Sequence, residues 1–483
     1  MRIKQNIYKG LCACGLLLLA GLISCKKNML DIKPKTQLAE EVAFDTPERV
    51  LAQVNGLYDG LKSGNFLGGR YLIYNDIRAE EYINKLNNGV TGLQTWNHTL
   101  NSSSNEVENL WTAAYSAINR INLFLKGLNE HKDVAFFDQY MAEAKFLRAL
   151  CYYDLLTLYA QPYTKDNGAS PGLPLRLQGE TTTQNNNLAR SSVSEVYTQI
   201  LADLNEAETK LPDKYSSSSL NVTRAHKNSA IALKTRIYLS MGKYSDVVNE
   251  ASKIVSSSAP FQANSGVIHK LESNVGTPFT NYTTTESIFS LPMTDGDPPG
   301  TQNQLGYYFN KPGVGNGEYS LNTGANGILS DTSWKATDAR KTNFLEVVGT
   351  TTYVKKFNKP SPYTDYVPVI RYAEILLNYA EAAAQTGNLS LAAELLKAVR
   401  KRSDANYNFS ASATGNQNDL IKLILTERRI ELLAEGFRSI DILRAGKAIP
   451  SKGSVNTIQP TQSEYIWPIP SSEILANNLM TPN

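Results

Sequence analysis

The densest set of ionisable groups in the chain lies between positions 427 and 444: Glu427, Arg428, Arg429, Glu431, Glu435, Arg438, Asp441 and Arg444. Glu427, Glu431 and Glu435 recur every fourth residue. On a helix this puts three like charges on one stripe, which repels unless cations lie beside it. Two of these carboxylates, facing each other, could serve a glycosidase as proton donor and as base or nucleophile. A catalytic acid needs surroundings that raise its pKa, however, and here four arginines match four acids within one segment. The segment is therefore expected to be an ion-pair network locking its helix, the glycine exit at Gly436 and the residues after it. No catalytic residue is assigned.

Other chemistries find little support. The four histidines, His98, His131, His226 and His269, show no metal-ligand spacing such as HExxH, so no metal site is expected. Gly313, Gly315 and Gly317 have neither a strand before them nor a helix after them, so they do not make a dinucleotide site, and no cofactor is expected. A GxSxG nucleophile elbow is missing. The 48 Lys and Arg against 45 Asp and Glu include Arg2, Lys4 and Lys9 of the leader, which leaves the remainder balanced. With no basic run, a nucleic-acid partner is excluded. Cys151 falls on an apolar helical stripe and reads as a small buried hydrophobe rather than a nucleophile.

The leader carries a stronger signal. Basic residues at its start run into an apolar stretch over 11–22, too short to span a bilayer, which ends at Leu22-Ile23-Ser24-Cys25. This is the pattern of a bacterial lipoprotein signal over 1–24, with Cys25 lipidated and 25–44 a polar tether. Cys12 and Cys14 leave with the signal, so the mature chain has no disulfide framework.

The elements that must position any site are mostly helical. Asp45, Pro47 and Glu48 mark a first helix start. Val107, Leu110, Trp111, Ala114, Ile118, Ile121 and Leu125 form one apolar stripe, and Tyr140, Ala144, Leu147, Cys151, Leu155 and Leu158 form another. Residues 230–254 and 373–399 each read as helix, glycine turn (Gly242, Gly387), helix, the look of tetratricopeptide-type hairpins. Between about 261 and 368 helical periodicity vanishes. Gly, Pro, Asn, Thr and Tyr dominate there, broken by strand-like pieces at 288–291 and 353–357. The expected fold is mainly α, with about four helix pairs and a long loop-rich insertion in one domain over 45–483.

Several segments, in this order, resemble the SusD/RagB family of nutrient-binding lipoproteins: the Cys25 lipobox, WTAAYSAIN at 111–119, AEAKFLRALCYYDLLTLY at 142–159, PVIRYAEILLNYAE at 368–381, the charged segment 427–444 and YIWPIP at 465–470. The resemblance implies four tetratricopeptide-like helix pairs and a loop-rich second half. It also implies anchorage in the outer membrane facing the cell exterior, and a TonB-dependent, SusC-like transporter as partner. Lys26-Lys27-Asn28 after the lipobox departs from the acidic run that accompanies surface export.

Sugars present polar edges and apolar faces, so their sites combine aromatic platforms with carboxylates and amides. Two loop regions offer this mixture, residues 75–97 and the insertion, where Tyr282, Tyr307, Tyr308, Phe309, Tyr319 and Trp334 lie. Trp96, Trp334, Tyr307 and Tyr308 are the expected stacking residues, and Asp76, Arg78 and Asn97 the expected polar contacts. Trp111 and Trp467 are expected in the core. The preferred function is non-catalytic capture of an oligosaccharide for a transporter; capture of peptides and an all-helical glycoside hydrolase remain the alternatives.

Overall fold

A computed structural model describes residues 42–483. The signal, Cys25 and most of the tether lie outside the described residues. The chain divides into two compact units, Met1–Leu51 and Ala52–Asn483, and the second holds nearly all of the described elements.

Helix α1 (Pro47–Leu61) starts at the proline, whose missing N–H costs nothing in a first turn. It is followed by α2 (Arg70–Ile77), strand β1 (Tyr82–Asn84) and the short α3 (Leu93–Asn97). In α4 (Asn105–Glu130) the expected stripe from Val107 to Leu125 is buried. Helix α5 (Phe137–Tyr159) differs from the one-faced expectation, because it is buried nearly all round. The reason is its place in the stack: α4 packs on one side of it and α6 (Val193–Lys210) on another. Cys151 is wholly enclosed, and burial pushes its thiol well above the ordinary range. A capping box of Ser192 and Glu195 starts α6.

Helices α7 (Lys227–Ser240) and α8 (Tyr244–Ile254) form a hairpin through Gly242, at φ 69°. The insertion then supplies β2 (Ser287–Leu291), α9 (Leu305–Phe309), β3 (Tyr319–Leu321), β4 (Leu345–Val348), β5 (Thr351–Val354) and β6 (Val367–Arg371). The second hairpin, α10 (Tyr372–Gln385) and α11 (Leu389–Ser403), turns through Gly387 at φ 89°. Helices α12 (Gln417–Glu431) and α13 (Arg438–Arg444) come next, with α12 packed on α10 and α11. At the exit of α12, Gly436 (φ 79°) is required twice over: its backbone is left-handed, and a Cβ there would lie 2.7 Å from Leu72 Cα.

The strands make three antiparallel pairs, β1–β3, β2–β6 and β4–β5. The strand expected at 288–291 is β2; the piece expected at 353–357 is instead the second half of a hairpin and ends at Val354. The β1–β3 register, Tyr82 opposite Leu321 and Asn84 opposite Tyr319, stitches the 75–97 region to the insertion. The two loop regions singled out by their aromatic and polar content are thus neighbours.

Candidate ligand-binding face

This stitching turns most of the expected contacts inward. Asp76 is 2% exposed, its Oδ2 accepts the Gly436 N–H at 3.0 Å, and burial pushes its carboxyl up to about 8. Arg78, 1% exposed, donates to the carbonyl of Tyr465. Trp96 donates its indole N–H to the Tyr82 carbonyl at 2.8 Å and lies under Lys452. Tyr308 is stacked on Tyr319 at 6.0 Å, and Trp334 is enclosed with Lys341 Nζ 5.0 Å from its ring. Asp76, Arg78, Trp96, Tyr308 and Trp334 are therefore buried within the fold, the three large rings as apolar filling and the two charged groups held by backbone partners. Asn97, which accepts the Thr99 hydroxyl at 2.6 Å, and Tyr307 remain half-buried.

Around Tyr307 the insertion builds a platform. The rings of Tyr282 and Tyr366 lie parallel, 4.3 Å apart and 9° from coplanar. Tyr307 and Tyr363 meet edge to face at 5.9 Å. All four are half-buried. Asp365 fixes the first pair through Tyr282. It is buried, and its carboxylate accepts the Tyr282 hydroxyl at 3.0 Å and the backbone N–H groups of Asn358 and Lys359 at 3.1 and 3.0 Å. Burial and the Asp365 charge hold the Tyr282 hydroxyl protonated, as this bond requires. A Cβ on Gly306 would sit 3.3 Å from the Phe357 carbonyl oxygen and in ordinary contact with Tyr363 Cδ1 and Asp365 Oδ2, so α9 packs directly on the segment that carries the platform. Lys359 Nζ stands 5.0 Å from the Tyr282 ring, and Gln304 donates to the Pro362 carbonyl.

Tyr363 itself has φ 60°, a left-handed backbone that a bulky L-residue adopts only at a cost. Such strain persists where the surroundings overdetermine it, and here it sets a half-buried ring edge to face with Tyr307. Chemically, the arrangement suits a polyhydroxylated ligand. Tyrosine faces take the C–H side of a sugar ring, while Lys359, Asn358 and the phenol hydroxyls offer donors and acceptors at the edge. Tyr282 and Tyr307 were within reach of sequence reasoning. Tyr363 and Tyr366 were missed, although a signal existed: Pro360-Ser361-Pro362-Tyr363 holds an aromatic on a stiff turn.

The carboxylate stripe is not a catalytic pair in a cleft. Glu427, Glu431 and Glu435 are all enclosed. Glu427 grips Arg340 and Arg400, Glu431 meets Arg340, Arg371 and Arg402, and Glu435 holds Arg371 and Lys356. Burial works to raise the carboxyls of Glu431 and Glu435, yet the surrounding cations hold both below the usual range. An ion-pair network was expected, but its partners differ from the expected ones. Local pairing holds for Asp441, which takes Arg428 and Arg444, whereas Arg444 also reaches Glu381, and Arg429 and Arg438 go to Glu80 and Glu81, leaving the three glutamates to cations from other segments.

Comparison with known proteins gives consistent matches along the chain. Residues 28–239 match a family described as starch-binding and associating with the outer membrane, and residues 235–483 match the SusD family. A SusD-like protein of Formosa agariphila is 26% identical, covering 97% of both chains. A SusD superfamily protein of Bacteroides fragilis, of known crystal structure, is 33% identical with a TM-score of 0.81 over 91% of this chain and all of its own. A laminarin-binding SusD-like protein shares the fold at a TM-score of 0.68 and 22% identity, over 90% of this chain and 98% of its own.

Proposed function

The chain belongs to the SusD family, and on that premise we propose that it is a non-catalytic glycan-binding lipoprotein of the outer membrane. It captures an oligosaccharide on the tyrosine face and passes it to a TonB-dependent transporter. The observation that carries this reading is the two pairs of half-buried tyrosines, Tyr282 with Tyr366 and Tyr307 with Tyr363, the first held by Asp365 through the Tyr282 hydroxyl, which offer a platform for sugar rings. The laminarin-binding relative and the starch-binding family description support a glycan as ligand class. Anchorage rests on the Cys25 sequence pattern, where two or three acyl chains, each methylene buried for about 0.8 kcal/mol, would hold the body firmly. Among the described residues no helix is long and apolar enough to cross a membrane.

The test is native electrophoresis of the purified protein through gels containing laminarin, starch and other plant, fungal and host polysaccharides, with an assay for released reducing ends. Retardation by at least one glycan without new reducing ends is expected. Release of reducing ends would mark a hydrolase, and binding of peptides with no glycan retarding the protein would replace the ligand class.

A further inference from the structure

Residues 174–180 cross helix α4 as an irregular segment, and side chains of two helices hold its backbone there. Tyr115 donates to the Pro174 carbonyl at 3.0 Å, and Tyr152 of α5 donates to the Arg176 carbonyl at 2.7 Å. Asn119 clamps Glu180 twice, accepting its N–H and donating to its carbonyl, both at 2.8 Å. Asn122 donates to the carbonyls of Arg176 and Gln178. A Cβ on Gly179 would lie 2.8 Å from Leu123 Cα, so the segment rests directly on the helix backbone. Polar loops fixed by a rigid scaffold in this way are where binding residues concentrate.

Between this loop, α4 and α5 lies a cavity of about 490 Å³, within the range of about 300–1,000 Å³ usual for small-molecule sites. At about 30 Å³ per water it corresponds to about sixteen waters, room for a sugar ring and its substituents. No aromatic residue lines it, so charge and hydrogen bonds, rather than stacking, must hold a ligand here. Lys126, Asn129, Gln178 and Asn185 are its exposed lining residues, and Leu125, Met141 and Leu177 give aliphatic wall.

Three cations line the cavity, Lys126, Lys145 and Arg148, against one acid, Glu180. Arg148 pairs with Asp203 and Lys145 with Glu206, both acids of α6 that are not on the wall, so of each pair only the cation lines the cavity. The guanidinium nitrogens of Arg148 are all spent on Asp203 and Asn122, so it acts on a ligand through its field. Glu180 is taken up by Asn185, whose Nδ2 lies 3.3 and 3.1 Å from the two carboxylate oxygens. Lys126 differs from the other two cations: among the described residues no acid pairs with it, and it is exposed. Its ammonium, and the side-chain amides of Asn129 and Gln178, are free to bond a ligand.

We propose that this cavity is a second saccharide site, selective for an acidic sugar, with Lys126 taking the carboxylate and Asn129 and Gln178 the hydroxyls. A sugar as the body of the ligand rests on the glycan binding proposed above, and its negative charge on Lys126, Lys145 and Arg148 alone. The test is a saturation-transfer NMR titration of the full-length protein with sodium glucuronate and, separately, glucose, at constant ionic strength.

Glucuronate is expected to bind saturably and about tenfold or more tighter than glucose, the margin of one charge-assisted bond. Lys126→Ala, on the surface, is expected to lose that margin with an unchanged melting curve. The Tyr282→Ala/Tyr307→Ala variant, which takes one ring from each tyrosine pair, is expected to keep it. No saturable glucuronate binding, no preference over glucose, or an unchanged preference in Lys126→Ala overturns the proposal. So does a preference lost with the two tyrosines, which would move the acidic sugar to the tyrosine face. Any of these results with glycan retardation intact leaves the glycan-binding reading standing, whereas saturable, Lys126-dependent glucuronate binding by a protein that no polysaccharide retards supports this site and counts against the tyrosine face.

Discussion

Replacing Arg371 with methionine keeps most of the side-chain volume and removes the charge that three acids share. Nη1 pairs with Glu286 and, at 3.2 Å, with Glu431, while Nε and Nη2 each lie 2.7 Å from an oxygen of Glu435. The guanidinium is 2% exposed, so water cannot take its place. Breaking a buried pair from one side costs about 3–5 kcal/mol, because the remaining charge stays buried. At about 2.1 cal/mol/K of unfolding entropy per residue, some 440 ordered residues give about 0.9 kcal/mol/K, so the melting temperature should fall by about 3–5 °C.

The pH dependence arises from the same contacts. Glu431 and Glu435 are held below their unfolded values, so the stability they contribute is present above the ordinary carboxylate range and is lost as pH falls through their folded pKa. Without Arg371 these pKa values rise, and an uncompensated carboxyl can take up a proton. The deficit of Arg371→Met should therefore be larger at about pH 7.5 than at about pH 5. Thermal melts of both proteins at the two pH values measure it. A variant melting within about 1 °C of native at the higher pH, or a gap that widens on acidification, would refute the reasoning.

Tyr363→Gly should raise stability by about 1 kcal/mol, since glycine relieves the φ of 60°, and should weaken glycan binding about two- to tenfold through loss of one ring. Denaturant titration and affinity gels on the same preparation test this opposition of signs. Asp76 is raised to about 8, so the stability of its neutral form is fully present below the unfolded carboxylate range and is lost as pH rises through about 8. Asp76→Asn should then gain on native protein between about pH 5 and about pH 8 and keep that gain above it, as read by urea unfolding across the range. Trp96→Ala, which empties a buried ring site and its bond to the Tyr82 carbonyl, should cost about 3–5 kcal/mol in the same unfolding assay.

Much of the scaffold was legible because it depends on local periodicity. The stripe from Val107 to Leu125 is a helix face, and Gly242 and Gly387 mark the two hairpins, as their spacing implied. The carboxylate stripe announced a need for cations, but not which ones. Arg340, Arg371, Arg400 and Arg402 come from separate segments that only the tertiary fold brings together. The ligand face was harder for the same reason. Tryptophan is attractive both as a sugar platform and as core, and the sequence around Trp96 and Trp334 does not distinguish a ring facing solvent from one that pins its own loop. Tertiary contacts decide between the two: Trp96 is fixed on the Tyr82 carbonyl of β1, and Trp334 is enclosed beside Lys341. Tyr307 alone among the four expected stacking residues stays half-buried, on the side of α9 that meets Tyr363, while its neighbour Tyr308 turns inward onto Tyr319.

The most direct measurement is affinity electrophoresis of native protein beside the Tyr282→Ala/Tyr307→Ala double variant, through the glycan that retards the native protein most. One ring is removed from each aromatic pair; the scaffold tryptophans are untouched, and Asp365 loses the Tyr282 hydroxyl but keeps the backbone N–H groups of Asn358 and Lys359. The account predicts a native-like melting curve for the variant and loss of most of its retardation. Undiminished retardation of a folded double variant would contradict it, and would place glycan recognition elsewhere on the molecule.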